Sequence, residues 1–192
     1  MSHDLNATRR LLDRPLDARE LHAQTEEVAR PLEEDAGERV SVLIVECGGE
    51  RLALPGSLVR RVSALAPVHR VPHRSNSVLR GIVNLGGHVT LAADLASLLE
   101  LPKAESASTA DRRMLLLGEG SEQWAVEVDR VLGVLRVEVG RLGDAPVTVR
   151  AARDHHTDRL LTLLDGEVDG GAGRVALLSE EKVLAGLRRN LG

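Results

Sequence analysis

Arg80-Gly81-Ile82-Val83-Asn84-Leu85-Gly86-Gly87-His88-Val89-Thr90-Leu91-Ala92-Ala93-Asp94-Leu95 is the stretch that decides how this 192-residue chain is read. An apolar, β-branched run ends at Asn84, a Gly-Gly pair follows, and a second apolar run returns. That is the pattern of a β-hairpin. Gly86 and Gly87 fit a tight turn that needs positive φ, which a residue without Cβ adopts at no steric cost. Gly81 lies inside the first strand, where no turn is expected. A glycine there marks a close approach of other backbone or a docking partner. Asp94 then sits where it can cap a short helix over Leu95–Leu99, which Pro102 ends.

The same pattern extends outward in both directions. Val40-Ser41-Val42-Leu43-Ile44-Val45, a Gly48-Gly49 turn and Arg51-Leu52-Ala53-Leu54 form an earlier hairpin. Leu58, Val59 and Val62 lead into another extended piece. On the far side, Met114–Leu117 and Trp124–Val128 flank Gly118 and Gly120, and Val131–Val137 follows, interrupted by Gly133. Leu160–Leu164 and Val175–Leu178 read as strands, and Ser179 can cap a last helix over Glu180–Arg189. Many short strands at close spacing predict a small barrel or sandwich rather than a βαβ sheet. The division into two strand-rich halves near Ser106 predicts two small barrels sharing an interface. The chain has no Phe or Tyr and only Trp124 among aromatics, so Leu, Val, Ile and Ala must build the core.

Residues 1–36 read differently. Asp17 with Glu20 makes a capping box, and Leu21, Val28 and Leu32 recur at helical spacing. Pro31, the acidic Glu33-Glu34-Asp35 and Ala36-Gly37 then form a linker. The expected organisation is a helical extension with linker over 1–36 and one domain over 37–192. The acidic bias of the chain sits in that extension. The formal net charge of −4 gives no reason to expect a polyanionic partner. The near absence of aromatics weighs against single-stranded nucleic acid, which is held by base stacking. No apolar run reaches the roughly 20 residues of a membrane span. The first 30 residues lack an apolar signal core, and Cys47 is the only cysteine. A cytoplasmic protein is the expectation.

Motifs that carry chemistry are mostly missing. Neither Lys103 nor Lys182 follows a glycine, so there is no phosphate loop. A Gly-x-Ser-x-Gly elbow is absent as well. Cys47 falls at a hairpin edge with no histidine near it in sequence, as a buried, inert thiol would. Asp154-His155-His156 with Asp158 is the one stretch with metal-ligand chemistry. Adjacent histidines diverge on any regular element, and a solvated loop is the simpler reading. No enzyme, metal or cofactor is expected.

The hairpin and its surroundings resemble the CheW family of chemotaxis coupling proteins. Its signature has the form G-x-[IV]-N-L-R-G-x-[IV]-x-P-[IV]-x-D-L, and Gly81, Asn84, Gly87, Asp94 and Leu95 match it. Further landmarks follow in family order over residues 39–187. Arg51–Pro55 is similar to the family's "y-A-L-P" strand, Leu58–Val62 to "x-V-x-E-V", and Val71-Pro72 to the "V-P" ahead of the signature. Val126–Val131 is similar to "V-D-x-V", and Ala176–Leu184 to the closing "L-L-D-x-E-K-L-L". The resemblance implies a mainly β fold of two small five-stranded β-barrels around a shared hydrophobic interface, with short helices. It implies a non-catalytic scaffold of a bacterial chemosensory pathway. The partners it implies are the regulatory domain of a CheA-type histidine kinase and the cytoplasmic tip of a chemoreceptor. The receptor would lie in the groove between the barrels.

This chain departs from the pattern at charged positions. Gly86 stands where the signature has Arg, Arg61 where the "V-x-E-V" segment has Glu, Leu91 for Pro and Ser179 for Asp. Loss of the Glu and the Arg together leaves neither charge alone, provided the two positions are neighbours in space. On the resemblance, Arg61, Val62, Gly81, Asn84, Gly86 and Gly87 are the receptor-side residues, and the kinase side has no residue assignment. The other reading of these departures is an adaptor of the same fold that has exchanged its partner for another cytoplasmic protein.

Overall fold

Twelve strands, two α-helices and a 3-10 turn make up residues 38–102, 108–120, 122–144 and 156–191, which the computed structural model describes. The helix expected over 17–32 and its linker lie outside those residues. Residues 38–192 form one compact unit. In chain order the strands are β1 Arg39–Cys47, β2 Glu50–Pro55, β3 Val59–Ala64, β4 Val68–His69, β5 Leu79–Leu85 and β6 His88–Asp94. After helix α1, Leu95–Leu98, come β7 Arg113–Leu117, β8 Trp124–Val128, β9 Arg130–Glu138 and β10 Leu142–Asp144. Then follow β11 Thr157–Leu163, β12 Gly173–Leu178 and helix α2, Glu180–Arg189. The expected caps are in place: Asp94 accepts from the Ser97 N–H at 2.9 Å, and Ser179 accepts from that of Lys182.

The strands form two six-stranded sheets, ordered β10-β11-β12-β2-β1-β9 and β3-β7-β8-β6-β5-β4. In each, the two edge strands are consecutive in sequence. Three residues join β3 to β4, and the 3-10 turn Val139–Arg141 joins β9 to β10. A linker of that length spans at most about 14 Å, so each sheet must curl until its edges face each other. That curl makes each sheet a small barrel. Five strands of each barrel have five residues or more, and the sixth is a short edge piece, β4 or β10. Two pairings, β12 with β2 and β6 with β8, are parallel and stitch hairpins into barrels.

Strand parity sorts the apolar residues into three cores. Val42 and Ile44 of β1 pack inside the first barrel with Leu161, Leu163 and Val175. Leu43, Val45 and Cys47, on the opposite face of the same strand, join a second core with Leu115, Leu117, Trp124, Val126 and Val128 from the other sheet. Val83, Leu85, Met114 and Ala125 fill the second barrel. The continuous apolar run in β1 therefore follows from burial on both faces. The shared core is the largest of the three, and Val183 and Leu187 of α2 are buried in it. It is the hydrophobic interface expected between the barrels. β9 runs through Gly133, at φ +158, but its pairing is broken beside it: Leu132 is the extra residue between the pairs Ile44↔Gly133 and Val45↔Val131.

Candidate partner-docking site

The site residues expected from the sequence fall on β3 and on the β5–β6 hairpin. Asn84 shapes the turn: its side-chain oxygen accepts from the Gly87 N–H at 2.8 Å. Gly86 and Gly87 carry φ of +66° and +94° and are exposed, as a two-glycine turn requires. Val89, at 66% exposure, pairs with Asn84 across the hairpin.

Gly81 is buried, with φ +148. A Cβ there would strike the His69 carbonyl oxygen and lie 2.9 Å from the Arg70 Cα. The missing side chain is what lets the chain leaving β4 lie close against β5 at this point, just past the antiparallel pairs Val68↔Val83 and His69↔Ile82. Gly81 thus supports the hairpin from beneath and offers no exposed surface.

β3 supplies the other half. Residues directly opposite in a sheet share a face. Ser63 pairs with Met114 and Arg61 with Leu116, so Arg61 shares their face of the sheet but lies at the barrel's end, where it is exposed. From there its guanidinium reaches the hairpin tip: a Cβ on Gly86 would sit 3.0 Å from an Arg61 terminal nitrogen. β3 and the β5–β6 turn belong to opposite ends of the sheet order, so this contact exists only because the sheet closes. Positions 61 and 86 are therefore neighbours, as the joint loss of two opposite charges requires.

Val62 faces the other way. It pairs with Leu115 of the shared core yet is 42% exposed. It therefore marks the open margin between the two barrels. Arg60 of the same strand is engaged by Glu119 at 2.6 Å and by the Gly118 carbonyl. Among the described residues no carboxylate pairs with Arg61. The site thus joins an apolar margin, an unmatched guanidinium and a rigid glycine turn. That set suits binding of a segment with apolar and acidic side chains. Val89 and Val68, outside the residues expected from the sequence, are exposed at 66% and 37%. Val89 was legible as a large apolar residue two positions past a hairpin turn.

Other features carry less. At the far end of the second barrel a cleft of about 800 Å3 opens beside Met114 and Ala125. Its charges are largely matched internally, through Arg80–Asp94, Arg112–Glu127 and the Gly48 N–H on Asp129. Cys47 is buried, and that burial, followed by the charge of Asp129, pushes its thiol pKa up to about 12. A thiolate nucleophile is excluded at neutral pH. Asp154 and His155 lie outside the described residues. Among the described residues no three His, Cys, Asp or Glu side chains are grouped to hold a metal. No helix among them is long and apolar enough to cross a membrane.

The family model described as CheW-like domain matches residues 41–184. Among solved structures, the scaffolding protein TtCheW from Thermoanaerobacter tengcongensis is similar, with a TM-score of 0.60. The match covers 73% of this chain and 88% of that chain at 16% identity, a likeness of fold. No curated protein matches the sequence significantly.

Proposed function

This chain belongs to the CheW-like domain family, whose members are non-catalytic chemotaxis scaffolds, and we propose that it couples chemoreceptors to a CheA-type histidine kinase in the cytoplasm. The observation that carries the reading is the margin between the barrels. Val62 is exposed at the edge of the shared core, and on the other face of the same strand Arg61 reaches Gly86 in the hairpin turn. A helical receptor tip laid along that margin would bury its apolar face against Val62 and its polar side against the hairpin. In this reading Arg61, Val62, Gly86 and Gly87 touch the receptor. Asn84 and Gly81 hold the turn and the strand beneath it. The kinase would engage another face, since an adaptor must hold both partners at once.

The test is co-sedimentation of the kinase with receptor-containing membranes. Kinase in the pellet only when this protein is present supports the reading. Kinase in the supernatant regardless, with the protein folded, contradicts it and favours an exchanged partner.

A further inference from the structure

We propose that the Arg61 guanidinium, set against Gly86, is a docking point for a carboxylate, so that the receptor segment bound at the hairpin end of the second barrel carries an Asp or Glu there. This rests on the receptor-coupling reading and specifies the receptor's chemistry.

The Arg61 stem leaves β3 at the barrel's end, opposite Leu116, and its head lies against the hairpin tip. Residue 86 has no side chain, and a Cβ there would approach Arg61 nitrogens at 3.0 and 3.5 Å. The guanidinium therefore occupies space that the glycine leaves open.

Its charge is uncompensated locally. Neither β3 nor the β5–β6 hairpin contains an acid before Asp94, which is taken by Arg80. The two acids on the neighbouring β7–β8 turn, Glu119 and Glu122, are taken by Arg60 and Arg188. Val62, the next residue of β3, is exposed on the opposite face of the strand, at the margin of the shared core. A planar guanidinium receives a carboxylate through two parallel hydrogen bonds, which fixes the register of the bound segment as well as its charge. A basic segment would meet Arg61 unfavourably, so the site also selects against partners.

The experiment titrates the full chain with helical-hairpin tip fragments of the chemoreceptors encoded in the same genome. Each fragment is used in native form and with its tip Asp and Glu changed to Asn and Gln. Arg61→Gln, Arg61→Lys and Arg61→Glu are compared with the native chain, after melting curves confirm that each is folded. The expected result is about tenfold weaker binding for Arg61→Gln, or about 1.4 kcal/mol. Arg61→Glu should lose more, and Arg61→Lys should recover part. Neutralising the fragment should weaken the native chain but add nothing to Arg61→Gln, and added salt should shrink the difference. Native fragments that bind Arg61→Gln within twofold of the native chain would overturn the inference and leave receptor coupling standing. Fragments that bind no form of the chain would overturn receptor coupling itself and this inference with it.

Discussion

Gly81→Ala should be among the most damaging single-methyl substitutions in this chain. Gly81 has φ +148, a conformation that residues with a Cβ rarely adopt. That backbone strain costs about 1–3 kcal/mol. The new methyl would also collide with the backbone at His69 and Arg70, not with a side chain that could turn away. β4 must then lift from β5 and lose the pairs at Val68 and His69. Each hydrogen bond lost there is worth about 1 kcal/mol, which brings the total to about 3–5 kcal/mol. For a domain of this size, about 1 kcal/mol lowers the melting temperature by about 2–4 °C, so a fall of about 10 °C is expected. Gly87→Ala is the control. It has φ +94 with nothing within 4 Å of an added Cβ, so it should cost only about 1–2 kcal/mol of backbone strain. Thermal melts followed by circular dichroism compare the two. A Gly81→Ala melting temperature within 2–3 °C (about 1 kcal/mol) of Gly87→Ala would refute the steric argument.

Three further outcomes are expected. The Glu167 carboxyl accepts hydrogen bonds from Arg141 and from the Leu164 N–H, which hold its pKa down to about 2. Its folded pKa is depressed, so its contribution is present above the ordinary carboxylate pKa and is lost as pH falls towards about 2. Glu167→Gln should cost about 1 kcal/mol at pH 7 in urea titrations, and a cost that persists undiminished near pH 2 would be inconsistent with the pairing. Cys47, buried with its pKa near 12, should resist a thiol reagent in the native state at pH 8 and react fully in denaturant; rapid stoichiometric labelling of native protein would contradict its burial. Leu54→Ala, in the shared core, should cost about 2–5 kcal/mol. Because that core belongs to both barrels, Trp124 fluorescence and far-ultraviolet circular dichroism should still report one coincident unfolding transition; two separated transitions would show barrels that fold independently.

Much of this fold was legible locally. The Gly48-Gly49 and Gly86-Gly87 turns fixed two hairpins, and Ser179 with its following acids fixed the last helix over Glu180–Arg189. The alternation hidden in Val42–Val45 became meaningful only with two buried faces, one for each core. What escaped were features that depend on distant pairing. β4 and β10, of two and three residues, are too short to show a period. The parallel pairs β6–β8 and β12–β2 leave no mark in either strand's own sequence. Gly81 was legible as a point of close approach, but the strand that approaches it, β4, was not. The neighbourhood of Arg61 and Gly86 was invisible too. Those positions are 25 residues apart and meet only when β3 and the hairpin tip are brought round by closure of the barrel.

The central claim, that this chain is a coupling adaptor, is tested most directly by calorimetric titration with the regulatory domain of a CheA-type kinase from the same organism. The account predicts saturable one-to-one binding at micromolar affinity or tighter, about −8 kcal/mol. Folded protein that shows no binding to any such kinase domain would contradict it.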